Sequence, residues 1–182
     1  MINAARVPLS RRNFLEGAVA LSGALLLPAG FARAEEEKYR VSKEARAAIE
    51  SSELIYIAPI RSDGSESACH GEVWFVSEGQ DLLVVTKPNL WRFRAVKQGL
   101  DRARIWVGDF GVWKKSRGKF KAAPAFLAQG EDISSDAGRV KHTLDAMGVK
   151  YAKTGWETYG PRFDKGLKNG DRVLLRYRPV AA

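Results

Sequence analysis

The chain has 182 residues, 30 Lys and Arg against 21 Asp and Glu, and a formal charge of +9, with one cysteine and two histidines. A lone Cys69 excludes an internal disulfide, and one Cys with two His makes no closed structural zinc site.

The N-terminus carries Ser10-Arg11-Arg12-Asn13-Phe14-Leu15, then an apolar run from Gly17 to Ala32 without Lys, Arg, Asp or Glu, then Ala32-Arg33-Ala34. A charged start, an apolar middle and a small-residue end form a cleavable twin-arginine signal over 1–34, leaving a domain of 35–182. The run is too rich in Gly and Ala, and too short, for a span of about 20 strongly apolar residues. Export through the twin-arginine translocase to the periplasm is therefore expected, with the chain already folded and able to carry a cofactor. The segment holds four arginines against Glu16, +3 of the total, so the remaining domain is at +6. Such a balance suits a phosphorylated ligand or plain solvation. Scattered basic residues and export leave nucleic acid without support as a partner.

Ser42 is placed to cap a helix reaching about Ser51, with Ala45, Ala48 and Ile49 on one side. The period then becomes two. Strands are expected over Leu54–Arg61, Ser67–Ser77 and Leu82–Thr86, joined by turns at Ser62-Asp63-Gly64-Ser65 and Glu78-Gly79-Gln80-Asp81. Asn89 is positioned to cap a helix with Leu90, Phe93 and Val96 on one stripe. Further strands follow over Arg104–Asp109 and Phe120–Gln129, the latter bent at Pro124. Ser134 or Asp136 caps a longer helix with Val140, Leu144 and Met147 on one face, and a last strand spans Arg172–Pro179. The Gly- and aromatic-rich stretch Tyr151–Lys168 receives no assignment. The expected fold is α+β, mainly β: a six-stranded antiparallel barrel or sandwich with helices attached.

Five segments carry a family resemblance: Leu54-Ile55-Tyr56-Ile57-Ala58, Asp63-Gly64-Ser65, Val73-Trp74-Phe75-Val76, Thr86-Lys87-Pro88-Asn89-Leu90-Trp91-Arg92 and Arg104-Ile105-Trp106-Val107-Gly108-Asp109. Their succession resembles the pyridoxamine 5′-phosphate oxidase-like, FMN-binding split-barrel family, from about Lys43 to the C-terminus. The resemblance implies a six-stranded antiparallel split barrel and a homodimer with flavin at the subunit boundary. It also implies that Thr86 and Arg92 meet the flavin phosphate, where the adjacent Lys87 adds charge to an anion site, and that Val73 and Trp74 border the isoalloxazine ring. From the residues alone, Trp74 is equally suited to the core, and Trp106 to the core or a dimer interface. One departure stands out: Cys69-His70-Gly71-Glu72-Val73-Trp74 replaces the family's Arg-x-Val-Leu-Leu-Lys strand, so oxidation of pyridoxamine phosphate itself is not expected.

Cys69 and His70 are strand neighbours on opposite faces and cannot pair. His70 suits a proton donor, an axial haem ligand or simply a polar strand start; Cys69 suits a small buried hydrophobe, and His142 a solvated helix face. The expectation is an exported FMN-dependent oxidoreductase acting on a small substrate. A non-catalytic haem- or flavin-binding protein and a deazaflavin-dependent reductase are the alternatives.

Overall fold

The computed structural model describes residues 41–181. The expected signal segment and cleavage point lie outside them. Helix α1 (Lys43–Ser51) opens as expected, Ser42 Oγ accepting from the Ala45 amide at 3.2 Å. Next come β1 (Leu54–Pro59), β2 (Gly71–Trp74), β3 (Val76–Glu78), β4 (Asp81–Thr86), α2 (Trp91–Lys97), β5 (Arg102–Val107) and a 3-10 turn (Lys119–Ala122). Strand β6 (Ala125–Asp132), α3 (Ala137–Lys150), α4 (Trp156–Asn169) and β7 (Val173–Val180) complete the chain.

One antiparallel sheet runs β2-β1-β5-β6-β7-β4-β3. Its two edge strands, β2 and β3, are separated in sequence only by Phe75, so one kinked segment joins both edges and nearly closes a barrel. The sheet thus has seven strands rather than six. The single strand expected over Ser67–Ser77 is split: Trp74 is the last residue to pair with β1, opposite Leu54, and Val76 the first to pair with β4, opposite Leu83. At the kink, Tyr151 Oη accepts from the Phe75 amide (2.8 Å) and lies 2.7 Å from its carbonyl oxygen. A side chain from α3's C-terminal end stands in for the missing ladder partner, as a buried backbone pair requires.

Alternation sorts the side chains into layers. Leu82 and Val84 join Ile55, Ile57, Ile105 and Tyr177 inside the barrel, while Leu83, Val85 and Leu174 face outward under α3 and α4. Both faces of β4 are therefore buried, which is why Leu82-Leu83-Val84-Val85 reads as a continuous apolar run. A third cluster gathers Tyr56, Ala58, Trp106 and Phe120.

Two other expectations change. Phe120 belongs to the 3-10 turn, and β6 begins only after Pro124, which lacks an amide to donate but whose carbonyl accepts from Val107 (3.0 Å). Phe120 stacks on Tyr56 at 4.6 Å, so its aromatic character serves packing beneath the sheet. The unassigned stretch holds α4, whose Trp156, Phe163 and Leu167 pack towards α3 despite Pro161 and three glycines at 155, 160 and 166. Gly160 has a local reason: a β-carbon there would lie 2.6 Å from the Trp156 ring. No described helix is long and apolar enough to cross a membrane.

Candidate functional site

Thr86 ends β4 on the face shared with Leu82 and Val84, so its hydroxyl points into the barrel end at 1% exposure. Six residues on, in the first turn of α2, Arg92 turns back towards it and Nη1 donates to Thr86 Oγ1 at 2.9 Å. The expected pair is thus in contact. The helix start differs: Leu90, not Asn89, holds the N-cap position, with no side-chain cap, and α2 has only seven residues. A helix this short and uncapped adds little to anion binding, so the side chains must supply the charge.

The Arg92 guanidinium lies across Gly71 of β2, where any β-carbon would stand 1.9 Å from Nη2. The Tyr177 hydroxyl, at 1% exposure and without a hydrogen-bond partner, is near enough to act on it electrostatically. Burial pushes the Arg92 pKa down, while Tyr177 and Glu72 push it up; the group remains a cation. Tyr177's own pKa is raised by burial, with Arg92 pulling the other way. Among the described residues Arg92 makes one hydrogen bond, leaving four of about five N–H donors without a protein acceptor.

Lys87 points elsewhere. With Asn89 it forms one wall of a groove of about 560 Å³, whose other wall is Arg162, Lys165 and Gly166 of α4 with Asp171 and Arg172 of the following turn. The other two expected residues pack within the protomer. Val73 lies against the barrel core. Trp74 stacks on Tyr151 (4.3 Å, 6° between planes), with Tyr159 and Phe163 edge-on. Trp106, 4% exposed, is core.

His70 sits just before β2 within a box of Trp106, Trp113 and Phe120, with ring centroids 5.3 to 5.8 Å away. Its Nδ1 lies 3.1 Å from the Ala68 carbonyl, and its buried Nε2 has no partner. Burial, then Lys121, lowers its pKa. The box is closed by the Trp113 amide donating to Glu72 Oε2 at 3.1 Å. Cys69 is exposed rather than buried, because it lies in the loop ahead of β2, not on the strand. His142 is on the exposed face of α3, as expected. Among the described residues no His, Cys, Asp or Glu cluster could hold a metal ion.

Tyr151, Tyr177 and the α4 cations were not singled out from sequence. The spacing of Trp156, Phe163 and Leu167 was the available signal for α4; nothing local marks Tyr177 as Arg92's neighbour.

No protein-family model matches the chain, and no curated protein matches it in sequence. Solved structures do match in shape. HutZ, the heme storage protein from Vibrio cholerae, is similar at TM-score 0.54 and 15% identity, over 79% of this chain and 92% of HutZ. A candidate 5-nitroimidazole antibiotic resistance protein from Bacteroides thetaiotaomicron is similar at TM-score 0.50 and 11% identity, over 76% and 79%. ChuZ from Campylobacter jejuni is similar at TM-score 0.51 and 12% identity over 83% of this chain, which spans 53% of ChuZ. At these identities the likeness is one of fold: a nearly closed antiparallel barrel of the split-barrel kind, flanked by helices.

Proposed function

We propose that this is an exported split-barrel protein that binds FMN and acts, as a homodimer, as an oxidoreductase on a small substrate. The observation that carries the reading is the Thr86–Arg92 contact at the end of β4 (2.9 Å), where a half-buried guanidinium donates to one protein acceptor and keeps its other donors for a ligand. A phosphate offers the oxygens such a fork binds, and the Thr86 hydroxyl is adjacent to add to it. The phosphate end of FMN fits these residues. The ring end is not supplied by the Val73 and Trp74 side chains, which pack within the protomer, so backbone groups of β2 and the second protomer would complete it.

Bound FMN would supply the electron or hydride transfer; the protein's part is anchoring, orientation and exclusion of water. Arg92 and Thr86 would hold the phosphate. A deazaflavin would share this anchor and differ in its tail.

A second reading, a haem-binding protein, is favoured by two observations. HutZ, a heme storage protein, is similar over 92% of its length. The buried His70 Nε2 is also without a hydrogen-bond partner among the described residues.

The deciding experiment is the absorbance spectrum of protein isolated from the periplasm, with mass analysis of what heat releases. Bands near about 375 and 450 nm with released FMN, lost in Thr86→Ala and Arg92→Ala, support the flavin reading. A Soret band that His70→Ala abolishes transfers the assignment to haem. A colourless protein that takes up neither flavin, deazaflavin nor haem overturns both.

A further inference from the structure

We infer that the groove between the 87–89 turn and α4 is a second anion site, one that receives the phosphate group of a soluble ligand. Four cations reach it from separate parts of the chain: Lys87 after β4, Arg162 and Lys165 on α4, and Arg172 before β7. Among the described residues none of the four is ion-paired, although other basic side chains such as Lys97, Arg139, Lys141 and Lys168 are. The groove's one carboxylate, Asp171, accepts instead from the Asn169 side-chain amide at 2.7 Å. Charge repulsion among converged, unpaired cations is relieved by an anion, and phosphate matches both guanidinium and ammonium donors.

The cations are also held in place. The Arg172 amide donates to the Gly166 carbonyl at 2.8 Å. Its stem lies on Gly166 so closely that a β-carbon there would meet Cγ at 2.3 Å, and its guanidinium stands 5.2 Å from the Phe163 ring. Arg162 is similarly set over Tyr159 at 5.8 Å. Aromatic faces under both guanidiniums restrict them before any ligand arrives, which lowers the entropy lost on binding. At about 560 Å³ the groove has room for a phosphate ester or a pyrophosphate. Neither Thr86 nor Arg92 lines it, so the site goes beyond the flavin anchor and is tested without flavin.

The test is isothermal titration of the purified protein with pyrophosphate at low ionic strength, beside sedimentation with phosphatidylglycerol vesicles. Saturable pyrophosphate binding is expected, weakened at least about tenfold by Lys87→Ala/Arg172→Gln and by Arg162→Ala/Lys165→Ala, as loss of two charge-assisted contacts implies. Lys141→Ala, on α3 away from the groove, leaves it unchanged. Absence of binding, binding as tight as the parent's in either double variant, or equal weakening by Lys141→Ala would overturn the inference. So would capture by vesicles without binding of free pyrophosphate, which would make the phosphate source a lipid headgroup.

Discussion

Nη2 of Arg92 lies 1.9 Å from the point that a β-carbon on residue 71 would occupy, so the guanidinium and Gly71 share one space. Gly71 is required by this close approach, its φ lying outside the positive range. Gly71→Ala is therefore expected to swing the Arg92 tip aside and break its bond to Thr86, destabilising the fold by about 0.5–1.5 kcal/mol. In an Arg92→Ala background the same substitution should cost far less, because the obstacle is gone. A double-mutant cycle by urea denaturation measures the difference. Equal penalties in both backgrounds would refute the shared-space account.

The barrel kink makes a second claim. Tyr151 Oη serves the Phe75 amide and stands within 2.8 Å of the carbonyls of Phe75 and Glu53, tying α3's end to β2, β3 and the entry to β1. Tyr151→Phe keeps the ring stack on Trp74 and leaves a buried amide and carbonyls unsatisfied, for an expected loss of about 1–3 kcal/mol. Hydrogen exchange at the Phe75 amide should accelerate more than at mid-strand positions of β5. Exchange that rises equally everywhere would mean only a global loss of stability.

How much of this was legible in the sequence depends on where the cause lies. Ser42 as a cap and the Asp63-Gly64-Ser65 turn are local chemistry, and both are present: Asp63 Oδ1 accepts from the Ser65 amide at 2.9 Å. The break at Phe75 has no local cause. Val73-Trp74-Phe75-Val76 reads as one strand, and the hydroxyl that divides it arrives from 76 residues away. Helix α4 contradicts its own propensities, because Gly160 and Gly166 make room for Trp156 and Arg172 rather than weaken a solvated helix. At the site, the Thr86–Arg92 spacing was readable. The inward turn of Arg92 depends on a missing side chain on β2 and a tyrosine on β7, which no window along the chain contains.

His70 gives a pH dependence of definite sign. Its pKa is lowered below the usual 6.5 by burial and then by Lys121. Below about pH 6.5 the unfolded chain takes up a proton that the folded chain resists, so stability is present above that pH and declines as pH falls towards the folded value. His70→Gln should therefore lose less stability than the parent between about pH 7 and 5. Parallel acid profiles for the two proteins would show that His70 is not held neutral.

Lys150 supplies a test at the alkaline end. Its Nζ stands 3.4 Å over the Phe75 ring, and burial lowers its pKa from 10.5 to about 8 against the opposing pull of Asp109 and Glu53. Between those values the unfolded chain holds the proton and the folded chain has released it, so stability rises with pH across this window. Lys150→Met removes the titration but keeps an unbranched apolar stem over the ring. The parent should accordingly gain stability relative to Lys150→Met from about pH 8 to 10.5, read as denaturant midpoints at several pH values. A constant gap across that range would mean that Lys150 titrates alike in both states, and that its ammonium is solvated rather than confined against Phe75.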